Sequence, residues 1–192
     1  MEQVLDFRHG VPDTRQLRHA FGCFATGVTV VTTRTPTNKL KGLTANSFSS
    51  VSLDPPLVLW SLRLNAPSCQ SFRSSGWFAV NVLGAHQQAL SRHFATPSPD
   101  KFANIPHAYG LGGCPILPDC LACFECSTES AIESGDHIIF IGRVNRATYR
   151  EGKPLIFSAG RYCVPEVLAD SGADAAPRGV KESAYAAAGE VR

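Results

Sequence analysis

Residues 42–61, GLTANSFSSVSLDPPLVLWS, constrain the chain more than any other stretch. They open with small polar side chains (Thr44, Asn46, Ser47, Ser49, Ser50, Ser52), interrupted by Phe48 and Val51. Pro55-Pro56 then punctuates the run, and residues 57–60 follow as an apolar segment that reads as a short buried strand. Asn and Ser are poor strand formers, yet alternation persists through the polar half. It places Leu43, Ala45, Ser47, Ser49 and Val51 on one face and Thr44, Asn46, Phe48 and Ser50 on the other. The expectation is one continuous strand over 42–52 beside an apolar strand over 57–62. An edge of hydroxyls and amides of this kind suits a flat ring with a polar tail.

The flanking chain supplies further strands and a few helices. Asp13 caps a predicted helix over 13–24 with Leu17, Ala20, Phe21 and Phe24 on its apolar face. Residues 28–33 (VTVVTT) are the most strand-prone run. Residues 35–41 form a hairpin-type connection to the polar strand. Asn65 and Pro67 predict a helix over 65–75, closed by Gly76. A strand over 77–83 and a helix over 85–95 follow, then a long loop through Gly113. Strands over 121–130 and 137–149 meet at the turn 133–136, and short strands over 154–158 and 161–164 close the order. Helices do not alternate regularly with strands, so the pattern excludes a doubly wound sheet and favours a closed or partly closed antiparallel barrel. Residues 165–192 hold few large apolar side chains and read as a mobile tail behind a single domain over 1–164.

Charge and targeting signals narrow the class. A net charge of +2 without any Lys/Arg block argues against nucleic acid. No apolar run reaches the roughly 20 residues of a membrane span, and the first residues lack a signal-peptide core. Seven cysteines without a secretion signal read as reduced thiols of a cytoplasmic protein. No Gly-rich dinucleotide or triphosphate cradle, metalloprotease helix or Ser-hydrolase elbow is present.

Three features could carry chemistry. Asn65, Ser68 and Ser71, preceded by Arg63, lie at the start of a predicted helix, where free N–H groups attract a phosphate; plain helix capping explains the same residues. Cys114, Cys120, Cys123 and Cys126 invite a metal reading. Cys123, however, faces opposite to Cys120 and Cys126 on the predicted strand, so small buried hydrophobes are the better account. His137 opens a strand after Gly135-Asp136; it is either a surface residue or a polar aromatic partner for a redox ligand.

Six pieces, in register, carry a family likeness: residues 24–33 (FATGVTVVTT), 42–62, 75–83 (SGWFAVNVL), Phe94 with Asp100-Lys101-Phe102, 135–144 (GDHIIFIGRV) and 154–162 (PLIFSAGRY). Over residues 13–164 the chain closely resembles the flavin reductase-like, FMN-binding split-barrel family, whose members often serve as reductase components of two-component flavin monooxygenases. The resemblance implies a mainly β Greek-key split barrel with helical connections, paired as a homodimer. It implies that Thr44, Ala45, Asn46 and Ser47 line the flavin ring and ribityl chain, largely through backbone groups. Ser61, Leu62 and Arg63 would lie beneath ring and tail, Ser68 and Ser71 would take the phosphate, and Phe94 and Ala95 would close the site. His137 and Tyr162 would sit where nicotinamide packs, with His137 the candidate catalytic residue. The implied activity is NAD(P)H-dependent reduction of FMN or FAD, using NADH or NADPH, with reduced flavin passed to a partner monooxygenase. Two other readings share the barrel: a flavin carrier without turnover, and a flavoenzyme reducing another acceptor such as a metal-corrin or ferric complex.

Overall fold

The computed structural model describes residues 4–8, 10 and 13–167; the tail expected over 165–192 lies outside the described residues from 168 onward. In chain order the strands are β1 (Thr26–Gly27), β2 (Thr29–Arg34), β3 (Leu40–Ala45), β4 (Ser49–Leu53), β5 (Pro56–Arg63), β6 (Trp77–Val82), β7 (Ala108–Tyr109), β8 (Pro115–Ile116), β9 (Ala122–Ser134), β10 (His137–Tyr149), β11 (Ile156–Ser158) and β12 (Arg161–Cys163). The helices are α1 (Thr14–Gly22), α2 (Cys69–Ser75) and α3 (Gln88–Ala95). Seven strands form one antiparallel sheet in the order β3-β2-β6-β9-β10-β5-β4. This meets the expectation of a mainly β fold with helical connections.

The sheet curls so that the chain leaving its end strand β3 is tied to β5, next to the opposite end. Ser47, just past β3, donates its hydroxyl to the Ser61 carbonyl of β5 at 3.1 Å and accepts the Ser61 N–H at 2.9 Å. One face of the curled sheet encloses an aromatic core in which Trp60 stacks on Phe140 at 4.9 Å and meets Phe72 edge-on at 4.8 Å. The other face carries a second cluster, with Val28, Val30, Leu83, Phe94, Phe102 and Leu155 buried beneath α3 and the loops. β2 is buried along nearly its whole length because Val30 and Val31 serve opposite clusters.

Several sequence expectations change on folding. The polar stretch is not one strand: β3 ends at Ala45 and β4 begins at Ser49, so alternation across 42–52 is broken at Asn46-Ser47-Phe48. The break exists because Ser47 leaves the ladder to bond Ser61. Asp13 does cap α1, accepting the Arg15 N–H at 2.9 Å, but α1 buries no residue, and Phe21 and Phe24 are 68% and 77% exposed. Helical periodicity marks an apolar face that the described residues leave largely uncovered. The β9–β10 turn shrinks to Gly135-Asp136, with Gly135 in the left-handed region (φ 60°). The long loop after α3 contains the small β7–β8 pair.

The cysteines are distributed rather than gathered. Cys120 belongs to the cluster beneath α3, Cys126 to the aromatic core, and Cys114 and Cys123 to a third cluster with Ala79. All four are buried, as expected of small hydrophobes. Burial pushes the thiols of Cys114 and Cys120 up to about 11 and those of Cys123 and Cys126 to about 12.

Candidate functional site

β3 hydrogen-bonds to β2 on one side only. Its other edge, where alternate residues present unpaired N–H and C=O groups, faces a cleft of about 520 Å³. That volume is in the usual range for small-molecule sites, roughly 300–1,000 Å³. The cleft is a wedge. Its closed end is the Ser47–Ser61 pair of hydrogen bonds, one arm is β3, and the other arm runs from Ser61 through Arg63 to Ala66, Pro67 and Ser68. Phe94 and Ala95 of α3, followed by Pro97, Ser98, Pro99 and Lys101, complete the wall.

Most of the polar side chains on the β3 arm are already engaged. The Thr44 hydroxyl donates to the Ser91 carbonyl at 2.6 Å, pinning α3 against the strand. Asn46 donates to the Thr26 hydroxyl at 3.3 Å, and Ser47 is committed to Ser61. These residues therefore build the cleft with side chains and offer a ligand their backbone. Gly42 gives the floor its shape: a Cβ there would sit 2.8 Å from the Phe94 ring and 3.2 Å from that of Phe102.

Charge in the wall has one sign. Lys41, Arg63 and Lys101 line the cleft and, among the described residues, no carboxylate does, an arrangement that attracts anions. Burial first, then the nearby Lys41 ammonium, hold Lys101 below the ordinary lysine range. His137 lies at the rim opposite Arg63 in the β10–β5 register. Its Nδ1 meets the Asp136 carboxylate at 2.7 Å, and Nε2 takes no part in that bond. Asp136 is held below the usual carboxylate range, chiefly by that hydrogen bond and at longer range by Arg63.

The structure brings Thr44, Ala45, Asn46, Ser47, Ser61, Leu62, Arg63, Ser68, Phe94, Ala95 and His137 to one cavity. Two expected residues stand apart. Ser71 is within α2, off the cleft wall; the helix begins at Cys69 rather than near Asn65, which leaves Ser68 before the first turn and Ser71 inside it. Tyr162 is behind α3, its hydroxyl 2.8 Å from that of Ser91 and its ring beneath Arg92. Sequence reasoning missed Lys41, Lys101 and the proline-rich segment 97–99. Lys101 stood in a recognised motif, but nothing in sequence spacing brings it beside Lys41.

Comparison with known proteins follows the same line. Residues 21–166 match the family described as the flavin reductase like domain. A "Probable flavin reductase" of Rhizobium meliloti (strain 1021) is 47% identical over 167 residues, covering 87% of this chain and 53% of that protein. The "FMN reductase (NADH) SmoA" of Agrobacterium fabrum (strain C58) is 44% identical over 156 residues, 81% of this chain and 88% of the relative. The chain thus spans about half the length of the first relative and most of the second. The structure of the Streptomyces globisporus C-1027 NADH:FAD oxidoreductase SgcE6 with NAD and FAD fragments superposes with a TM-score of 0.79 at 39% identity, covering 89% of this chain and 100% of the other. By fold, cleft and sequence, this chain belongs to the flavin reductase like domain family.

Proposed function

We propose that this chain is an NADH:flavin oxidoreductase that reduces FMN or FAD and supplies reduced flavin to a partner monooxygenase. The observation that carries the reading is the wedge itself: an unpaired strand edge, a closed apolar floor and a wall with three cations and, among the described residues, no carboxylate. These features fit an isoalloxazine ring with a phosphate-bearing tail. Relatives named as NADH-dependent reductases and as reductase components of monooxygenases support the same reading.

The flavin, when bound, supplies the hydride-accepting chemistry. The chain orients and shields. The free edge of β3 offers amide and carbonyl groups to the ring's polar rim, and the Ser47–Ser61 bonds fix the wedge angle. Phe94, fully buried, closes the floor against water. His137, steadied by Asp136, stands at the rim where a nicotinamide donor would enter, holding it for transfer. No strong acid or base is needed in the wall.

A homodimer belongs to the same proposal. Phe21, Phe24, Leu53 and Tyr149 are each two-thirds or more exposed, an excess of large apolar side chains for an isolated subunit. A cytoplasmic setting is supported by seven free thiols, and among the described residues no helix is long and apolar enough to cross a membrane.

The test is NADH oxidation by purified protein with and without added FMN and FAD. Flavin-dependent turnover is expected. Bound flavin without turnover would sink the reductase reading in favour of a carrier.

A further inference from the structure

One wall of the cleft is tied only to its own neighbourhood. Residues 95–100 are exposed throughout, yet Ala95, Pro97, Ser98 and Pro99 also line the cleft, so a single thickness of chain parts the cleft from solvent there. Among the described residues, the hydrogen bonds of this segment stay close by. Thr96 donates to the Arg92 carbonyl, Ser98 to the Asp100 carbonyl at 3.3 Å, and Asp100 accepts the N–H groups of Phe102 and Ala103 at 3.0 and 3.2 Å. None of these reaches β3 or the opposite arm. The other walls are fixed: β3 by its ladder to β2, and α3 by fully buried Phe94 and Ser91. Displacing residues 95–100 uncovers no buried side chain, which makes this wall the one that moves at least cost.

The segment is latched at its base. The Lys101 carbonyl accepts from His93 Nε2 at 2.7 Å, and Lys101 Nζ donates to the Phe94 carbonyl at 2.6 Å. A carbonyl only accepts, so Nε2 carries the proton. The imidazole is set edge-on against Phe94 at 5.2 Å and is off the cleft wall. Residues 94–101 therefore form a surface loop whose ends meet, anchored by buried Phe94 before it and buried Phe102 after it. Pro97 and Pro99 fix φ at the tip and stiffen it. The result is a flap that can swing as a unit when its base loosens.

Building on the flavin reading, we propose that residues 95–100 are the lid of the cleft, whose displacement admits and releases flavin, and that His93 is the positioning residue that latches this lid through the Lys101 carbonyl. A reductase that passes its reduced flavin onward must shield the site during turnover and then let the product go. A hydrogen bond from an imidazole outside the cleft sets that balance without touching the ligand.

The test is stopped-flow fluorescence of FMN binding and release by the full chain and its His93→Ala, His93→Gln and doubly substituted Pro97→Gly, Pro99→Gly variants, with limited trypsin digestion in the absence of flavin. His93→Ala is expected to release FMN about fivefold faster, the worth of one hydrogen bond. Its association rate rises as well, so that Kd changes less than the release rate. His93→Gln keeps a side-chain N–H donor and restores wild-type rates. The double glycine variant loosens the flap without touching the latch and raises both rates. Without flavin, trypsin cuts after Lys101 faster in His93→Ala than in wild type. Unchanged release in His93→Ala, faster release with unchanged or slower association, equal cleavage after Lys101, or a His93→Gln protein as leaky as His93→Ala would overturn the lid and leave the reductase reading standing. Latch-dependent FMN exchange without NADH oxidation would overturn the reductase reading and leave the lid. Failure of FMN to bind would overturn both.

Discussion

Gly42→Ala is the most demanding perturbation of the relation between packing and site. The added methyl would lie 2.8 and 3.0 Å from two carbons of the Phe94 ring and 3.2 Å from Phe102. Carbon contacts normally rest at about 3.5–4.0 Å, so the ring must retreat by roughly 0.7 Å. It has nowhere to go: Phe94 is 0% exposed and is flanked edge-on by Phe102 at 5.2 Å and His93 at 5.2 Å. Overpacking of this kind costs about 1–3 kcal/mol, and replacing glycine returns about 0.4–1 kcal/mol through the unfolded chain. Gly42→Ala should therefore be destabilised by about 1–2 kcal/mol in urea unfolding. Because Phe94 also forms the cleft floor, flavin affinity should weaken in the same protein. Phe94→Leu, destabilising alone by leaving a void, should be less costly in the Gly42→Ala background, with a favourable coupling of about 1 kcal/mol. Strict additivity of the two substitutions, or a Gly42→Ala protein as stable as wild type, would refute the reasoning.

Other consequences are as direct. His137→Ala should slow NADH oxidation far more than it weakens flavin binding, since the imidazole sits at the rim; equal losses in turnover number and flavin Kd would count against a nicotinamide role. Burial alone would raise the Glu125 carboxyl, but Arg146, at 2.5 and 2.7 Å, and the Leu111 N–H, at 2.6 Å, hold it below the ordinary value. Its contribution is thus complete above the unfolded glutamate value of about 4.3 and lost as pH falls through the lower folded value. Glu125→Gln should cost roughly 2 kcal/mol near neutrality, with the gap to wild type closing in acid; a gap independent of pH would disprove this. Iodoacetamide at about pH 8 should modify exposed Cys23 first and Cys163 next, sparing Cys114, Cys120, Cys123 and Cys126 until the chain unfolds. Rapid native labelling of any of those four would contradict their burial.

Local chemistry made much of this protein legible from the amino-acid order alone. The strands of 28–33, 57–62, 77–83 and 137–149 were visible because β-branched and aromatic runs bounded by Gly, Pro and Asp leave few alternatives. The polar stretch around Asn46 and the turn before His137 were visible as site material because hydroxyls, amides and an imidazole stood beside apolar strands. Tertiary contact decided the rest. Whether Asn46-Ser47-Phe48 continued a strand or broke one depended on Ser61, fourteen residues on from Ser47, offering a competing pair of hydrogen bonds. Whether the apolar face of α1 entered the core depended on what lay beneath it, and among the described residues too little of this chain does to bury any of its side chains. Ser71 and Tyr162 missed the cleft because a helix start four residues later than expected, or one helix between strand and tyrosine, reorients a side chain entirely. The pairing of Lys41 with Lys101 had no trace in sequence spacing. Only the curl of the sheet, which returns the loop after α3 to the free edge of β3, sets two distant ammonium groups at one mouth.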